Sequence, residues 1–211
     1  MVSKSLGIAV LATVCFVSFS WAADFRGNNW GDSPEAVQVK EGEGLICLTR
    51  PPGWGDKDYT KFIGYNPSNY LGVDGIVVFV FNHEVKLGKV LCFSLGHDIG
   101  SFYEWEKALS ASYGEPENRD DLLTKDESIL DVYYRGDAAA VEEGLLKVYF
   151  TLIRFWETGK TYIWLVAELY DDKLEVHINY YSKEYFDFFR EEKTLGGTRK
   201  GFRPWFDNDG Q

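Results

Sequence analysis

The second half of the chain alternates between apolar and polar residues, which is the pattern of β-strands with one buried face. Three such segments follow one another at residues 146–156, 162–169 and 174–181. Short polar turns separate them, so the pattern predicts an antiparallel meander with one polar side. A shorter alternating segment at residues 130–134 predicts one more strand before the meander.

The first half contains two more apolar segments, which predict a β-hairpin. Residues 75–81 are a nearly unbroken run of valine, isoleucine and phenylalanine, and residues 85–95 follow after a polar turn. Lys89 is the exception among the apolar positions of the second strand. Shorter strands are predicted at residues 45–49 and 62–65.

Three segments have the spacing or the end signals of a helix. Apolar residues recur at spacings of three, four and four within residues 101–113, which predicts an amphipathic helix. Ser33 and Pro34 are typical of a helix start, and Gly42 ends that short helix. A last short helix is predicted at residues 185–190.

The order of these elements predicts an α+β fold, in which an antiparallel meander sheet has a few helices packed on one face. A single domain at residues 23–193 is the simplest interpretation. Because a helix followed by strands occurs twice, a duplicated unit with halves 23–97 and 98–193 is the alternative. Residues 194–211 are predicted to be a flexible tail.

Residues 1–22 have the composition of a signal peptide, with a lysine, an apolar run and small residues at the end. We expect cleavage after Ala22 and a periplasmic or secreted protein. A membrane anchor is the alternative, but the run is shorter than the roughly 20 residues that cross a bilayer. Val14 precedes Cys15 where lipid attachment needs a small residue. No later stretch is apolar enough to span a membrane, so no integral membrane segment is expected after processing.

The formal net charge of the chain is −11 at pH 7. A negative surface repels phosphate groups, and no basic stripe along the sequence compensates for it. Nucleic acid is therefore not an expected partner. A partner that is an unknown protein or a small ligand is compatible with this charge.

Residues 25–37 contain the spaced pattern F-x-G-x-x-W-G-x-S-x-E-x-V. This pattern resembles the mature start of many exported bacterial proteins of unassigned function. The segments Tyr113-Gly114-Glu115-Pro116 and Tyr180-Tyr181-Ser182 look similar to later parts of those proteins. The order of helix and meander is distantly similar to outer-membrane barrel-assembly lipoproteins and β-lactamase inhibitor proteins, although this chain lacks a good lipid-attachment cysteine. The resemblance implies export and an α+β fold, and it implies no catalytic residues.

The histidines show none of the spacings that metal or catalytic sites use. His83 lies in a predicted turn, His177 on the polar face of a strand, and His97 just before a helix, so no pair suits two ligands of one metal. No glycine-rich phosphate loop stands between a strand and a helix. The sequence predicts no metal site, no cofactor and no catalytic residue. A small secreted hydrolase, with a site built from the loops at 51–60 and 115–127, is the alternative.

Aromatic residues make up 17% of the chain, and some of them fall on strand sides that the alternation predicts to be polar. An exposed aromatic sheet face suits a peptide or a sugar, because rigid rings give contact area at a small entropic cost. The alternative is that helices cover this face. We therefore hypothesise an exported non-catalytic binding or envelope-associated module with the binding residues Tyr162, Trp164 and Tyr181. A second docking candidate is the set of aromatic residues in the tail, Phe202, Trp205 and Phe206.

Two cysteines follow the predicted leader, Cys47 and Cys92. Both lie in apolar segments that are predicted to be strands. In an oxidising compartment they are expected to form a disulfide. The alternative is a pair of buried thiols on separate strands.

Overall fold

A computed structural model describes residues 24–42, 45–48, 61–65, 68–122, 125–147, 149–170 and 172–190. The predicted leader at residues 1–22, the loop at 51–60 and the predicted tail at 194–211 lie outside these described residues. The expectations of a cleaved signal peptide and of a docking segment in the tail therefore stay predictions.

The described ranges contain five helices and ten strands. The helices are α1 (Pro34–Glu41), α2 (Gly100–Tyr113), α3 (Glu127–Arg135), α4 (Ala138–Leu146) and α5 (Phe186–Arg190). The strands are β1 (Leu45–Leu48), β2 (Lys61–Tyr65), β3 (Ser68–Tyr70), β4 (Val73–Phe81), β5 (Leu87–Ser94), β6 (Glu117–Asn118), β7 (Asp121–Leu122), β8 (Phe150–Glu157), β9 (Thr161–Tyr170) and β10 (Lys173–Ser182). Within these ranges, no helix is long and apolar enough to cross a membrane.

The strands form one open antiparallel sheet in the order β1-β2-β4-β5-β10-β9-β8-β6, with β3 paired to β4 and β7 paired to β8. The consecutive strands β8, β9 and β10 pair as the predicted meander, and β4 pairs with β5 as the predicted hairpin. Because β5 also pairs with β10, strands from both halves of the chain belong to one continuous sheet. The predicted α+β fold class is confirmed.

One side of the sheet, called the inner face from here on, carries the main core against α2 and α4. Trp105 of α2 is fully buried, and its Nε1 donates a hydrogen bond to the backbone oxygen of Tyr70 at 2.8 Å. The apolar stripe predicted for this helix is buried at its first three positions. The strand side chains of this core include Val77, Phe79, Val90, Cys92, Leu152, Ile163, Leu165, Ala167, Val176, Ile178 and Tyr180.

The segment before α1 is fastened to the sheet by hydrogen bonds. Trp30 Nε1 donates to Thr161 Oγ1 at 2.8 Å. The backbone N–H of Gly31 donates to the oxygen of Leu87 at 2.8 Å, and the N–H of Leu87 donates to the oxygen of Asp32 at 2.9 Å. Gly31 has a φ of 89°, which side chains rarely allow. The tryptophan and the glycine after it therefore have structural roles in this chain.

The strand predicted at residues 130–134 is wrong, because these residues lie in α3. Asp126 caps this helix by accepting a hydrogen bond from a backbone N–H of its first turn, and Gly136 ends it with a left-handed φ of 68°. Ile129 and Tyr133, four residues apart, pack against the inner-face core. A five-residue apolar pattern fits a strand and a helix alike, and here the end signals decide for the helix.

Two boundaries also differ from the predictions. The strand predicted from residue 146 begins at Phe150, because Asp137 caps α4 and this helix runs to Leu146. The segment at residues 115–127, predicted to be a loop, contains β6 and β7, which both pair with β8. Neither difference changes the fold class.

The predicted disulfide between Cys47 and Cys92 is wrong. Cys92 is a free thiol in the inner-face core, and burial raises its pKa well above the ordinary value. Cys47 lies on β1, three strands from β5 in the sheet order. That separation is about 14 Å at the usual strand spacing, whereas a disulfide needs Cα atoms within about 7 Å. The alternative of a buried thiol is correct for Cys92.

The helix α5 lies on the opposite side of the sheet, which is called the outer face from here on. Phe189 of α5 is buried against Val78, Val80 and Leu91. A Cβ atom added at Gly88 would overlap the ring of Phe189, so the glycine allows α5 to lie close to β5. The prediction that the helices pack on one face therefore holds for α2 and α4, and α5 is the exception.

Candidate functional site

The outer face carries a column of polar side chains along β10. Alternate residues of a strand share a face, and the residues between them belong to the inner-face core. The column therefore consists of Glu175, His177, Asn179 and Tyr181. From the first to the last of these residues it spans about 20 Å.

Apolar side chains flank this polar column on both sides. Asn179 lies between Leu91 of β5 and Trp164 of β9. One step along the sheet, Phe93 and Val166 flank the neighbouring polar residue. Leu91, Trp164 and Val166 are buried, and Phe93 is half-buried. The outer face is thus a polar strip between two apolar walls.

The structure brings the three predicted binding residues together on this face. Tyr162 lies directly opposite Tyr181, and Trp164 lies two residues farther along β9. The rings of both tyrosines contact Phe186 of α5, with centroid distances of 4.8 and 5.5 Å. The tyrosines are half-buried, whereas Trp164 is only 6% exposed. The alternative that helices cover the face is correct at its α5 end, and a binding role for the three residues stays a prediction.

Trp164 is covered by a charged side chain from the connection between β6 and β7. The guanidinium carbon of Arg119 lies 3.9 Å from the ring centroid of Phe155 and 5.1 Å from that of Trp164. The backbone N–H of Arg119 donates to the oxygen of Ile153 at 3.0 Å, which fixes the connection over β8. The side chain also forms an ion pair with Glu117 at 2.8 Å. Among the described residues, the partly exposed side chain of Arg119 therefore lies over the indole of Trp164.

Lys89 is the buried charge of the outer face. It lies on β5 opposite Tyr181, is 4% exposed, and places its Nζ 4.7 Å from the centroid of that ring. Among the residues that the structure describes, no carboxylate lies within ion-pair distance of this ammonium group. Lys183, which lies 5.0 Å from the ring centroid of Tyr162, differs because it also pairs with Glu157 at 2.6 Å. A cation–π contact replaces only part of the hydration that a buried charge loses.

Two neutral side chains beside Lys89 have unused hydrogen-bonding groups. Asn179 is 9% exposed, and its amide makes no hydrogen bond to any described residue. The Nδ1 atom of His177 is buried and has no hydrogen-bond partner among the described residues. Burial, and to a lesser extent the charge of Lys89, lowers the pKa of His177 from 6.5 to about 4, so the ring is neutral at neutral pH. Buried groups without partners cost about 1–3 kcal/mol each, so this strip is a place where a ligand can supply what the protein does not.

The other histidines lie elsewhere on the molecule. His83 is exposed in the turn between β4 and β5, with its ring centroid 5.1 Å from that of Phe188. His97 is exposed before α2, and its Nδ1 donates to the backbone oxygen of Leu174 at 3.2 Å. Over the described ranges, no three potential metal-binding side chains lie together.

The start of α2 borders an open depression of about 480 Å³, whose described lining includes no residue of the loop at 115–127 that was predicted for the alternative hydrolase. Its lining includes Ser101 and Glu104. The Oγ atom of Ser101 lies 2.9 Å from that of Ser94. No described imidazole forms a hydrogen bond with either serine. The depression thus offers hydroxyl and carboxyl groups without a nucleophile and base in contact.

Sequence reasoning missed Lys89 and Asn179 as site residues. The available signal for Lys89 was its position in an otherwise apolar strand. For Asn179, alternation alone indicated an ordinary exposed polar position. Its burial depends on the pairing of β10 with β5, which joins residues almost 90 positions apart and leaves no local mark in the sequence.

No protein-family model, no curated protein and no solved structure matches this chain. The grounds for a functional assignment are therefore the geometry and the charges of the outer face.

Proposed function

We propose that this protein is an exported, non-catalytic binding module that holds an extended peptide segment of another protein on its outer face. The observation that carries the proposal is the polar column of β10 between the apolar walls of β5 and β9. The three predicted binding residues lie on the same face. The composition of residues 1–22 supports the exported location.

An extended peptide matches the chemistry of this face. Successive side chains of an extended chain point to opposite sides, and the backbone N–H and C=O groups lie between them. A peptide lying along β10 places its backbone groups over His177 and Asn179, whose polar atoms need partners. Its side chains then pack against Phe93 on one wall and Val166 on the other. Backbone contacts provide affinity, and the walls select apolar side chains.

Other ligand classes match this face less well. A sugar presents hydroxyl groups around most of its rim, and the apolar walls give those groups no partners. Nucleic acid is repelled by the net charge of −11. Of these ligand classes, an extended peptide is the one that matches a polar strip with apolar side chains along both of its edges.

The proposal is tested by selecting binders from a displayed library of random 12-residue peptides on the purified protein. We expect selected peptides to be rich in aliphatic and aromatic residues at alternate positions. Phe93→Ala removes part of one wall and should weaken binding about tenfold, as expected for an aromatic residue at the centre of an interface. Tyr134→Ala is the matched control, because Tyr134 is 72% exposed on α3, away from the sheet's outer face.

Two results would overturn this assignment. The first is a selection that yields no binder, or binders whose affinity Tyr134→Ala lowers as much as Phe93→Ala does. The second is binding that appears only after residues 194–211 are removed. That result would assign the face to the chain's own C-terminal end instead of a separate protein.

A further inference from the structure

We infer that Lys89 and Asn179 form a site for a carboxylate group of the bound peptide. This inference rests on the proposed function and names the chemical group that the outer face recognises. It assigns a role to Lys89, the only buried lysine among the described residues, which the aromatic contacts alone do not explain.

Lys89 is a buried charge without an acidic partner among the described residues. The side chain is 4% exposed and its ammonium group faces the ring of Tyr181, with no acidic partner among the described residues. A buried ammonium group is unfavourable unless it is paired and hydrogen-bonded. Lysines in this situation either cost stability or bind an anion.

Asn179 lies close to Lys89 on the outer face. Lys89 pairs with Tyr181 across β5 and β10, and Asn179 is the next residue of β10 on the same face. Diagonal neighbours of this kind lie about 7–8 Å apart, which is within reach of a lysine side chain. Asn179 is only 9% exposed, and its side-chain amide has N–H donors without an acceptor among the described residues. One charged donor and one neutral donor thus lie at neighbouring positions of the same face.

The charge of these two donors indicates which anion they would bind. One ammonium group and neutral amide donors balance a single negative charge, which is the charge of a carboxylate. Phosphate groups carry more charge and are usually held by arginine or by several cations. Among the described residues, Lys89 is the only buried charged side chain of this face, because Arg119 and Lys183 are partly exposed and paired with glutamates, and His177 is neutral. A carboxylate is therefore the better match.

The charges along the column also give the ligand a direction. Glu175 lies directly opposite Glu168 of β9, about 20 Å from the Tyr181 end of the column. The outer face is thus acidic at one end and basic at the other. A peptide with its carboxylate over Lys89 has the complementary polarity when its amino-terminal part lies towards the two glutamates.

The test uses two small probes that differ only in this group, N-acetyl-L-tryptophan and N-acetyl-L-tryptophanamide. Both carry the same apolar ring, and only the first carries a carboxylate. Titration of the purified protein is followed by ¹H–¹⁵N spectra, including the side-chain amide signals of Asn179. We expect the acid to bind at least about tenfold more tightly than the amide.

Three variants isolate the contribution of Lys89. Lys89→Met should abolish the preference for the acid, and Lys89→Arg should retain it because the positive charge remains. Lys107→Met is the matched control, since Lys107 is exposed on α2 and lies on the other side of the sheet. Urea unfolding of each variant confirms that the fold is intact.

Equal binding of acid and amide, or a preference that survives Lys89→Met, would overturn the carboxylate site. The selected 12-residue peptides separate this failure from that of the proposed function. If the peptides bind the outer face but the protein binds the acid no more tightly than the amide, peptide binding stands and the carboxylate site is wrong. If they fail as well, both are wrong.

Discussion

The two faces of the sheet are built from the same strands but treat their polar groups differently. On the inner face, the hydroxyl groups of Tyr70 and Tyr180 lie 2.8 Å apart and satisfy each other. Arg154 pairs with Glu106 at 2.6 Å and with Asp120 at 2.5 Å, so even the charges beside that face have partners. These polar groups of the inner face have their partners within the described part of the protein, and the buried Oδ1 atom of Asn28, next to Phe25 of the same core, is the exception.

The outer face contains more buried polar groups that have no hydrogen-bond or ionic partner. Lys89, Asn179 and the Nδ1 atom of His177 are buried without hydrogen-bond or ionic partners among the described residues. Its only described helix is α5, which has five residues. Burial alone therefore does not distinguish a core from a binding surface, whereas burial combined with unsatisfied polar groups does.

The largest expected difference between the faces concerns two tryptophans. Trp105→Ala should lower the free energy of unfolding by about 4 kcal/mol, because the fully buried ring and its hydrogen bond are lost from a packed helix interface. Trp164→Ala should cost only about 2 kcal/mol, since the side chain of Arg119 can settle over the space. Urea unfolding of both variants measures the two losses in the free energy of unfolding. Equal losses would show that the outer face is as rigid a core as the inner face.

The next effect is a dependence of stability on pH that comes from His177. Its folded-state pKa is about 4 and its ordinary pKa is 6.5, so the unfolded chain binds the extra proton as the pH falls between these values. The contribution is fully present above pH 6.5 and is lost towards pH 4, by up to about 3 kcal/mol. His177→Gln should remove this part of the pH dependence of unfolding. His83→Gln, at an exposed histidine, should retain it. A His177→Gln protein with the same pH profile as the original would contradict the burial of this ring.

A smaller effect of opposite sign is expected for Lys89. Lys89→Met replaces a buried charge without an acidic partner by an apolar side chain of similar length. We expect the free energy of unfolding to rise by about 1 kcal/mol, measured by urea unfolding without ligand. A fall of that size would mean that the ammonium group already has a stabilising partner. The outer face would then be as complete as the inner face.

The smallest expected effect concerns Cys92. Its thiol lies in the inner-face core, so a thiol reagent should modify it slowly in the folded protein and quickly in urea without any reductant. Mass spectrometry of the peptide that contains Cys92 measures both rates. Protection that persists in urea until a reductant is added would show a disulfide and contradict the free thiol.

The sequence was sufficient for the fold class and for the meander, because alternation over eight to ten residues has only one structural explanation. It was insufficient at residues 130–134, where five residues fit two periodicities. The capping residues Asp126 and Gly136 were present in the sequence and would have indicated the helix.

The candidate site was predicted in part. Alternation placed Tyr162, Trp164 and Tyr181 on one side of the sheet, and the structure brings them together. The burial of Trp164 was not predictable, because Arg119 reaches it from a connection that lies 45 positions earlier. The pairing of β5 with β10, which creates the strip around Asn179, is likewise a long-range event.

The central claim, that the outer face binds a peptide, is tested most directly by nuclear Overhauser contacts between a selected peptide and methyl groups of the sheet. Ile76 and Val166 point outward, and their neighbours Val77 and Leu165 point into the inner-face core. We predict contacts from the peptide to the methyl groups of Ile76 and Val166 and none to those of Val77 and Leu165. A bound peptide without contacts to either outward residue would contradict the account.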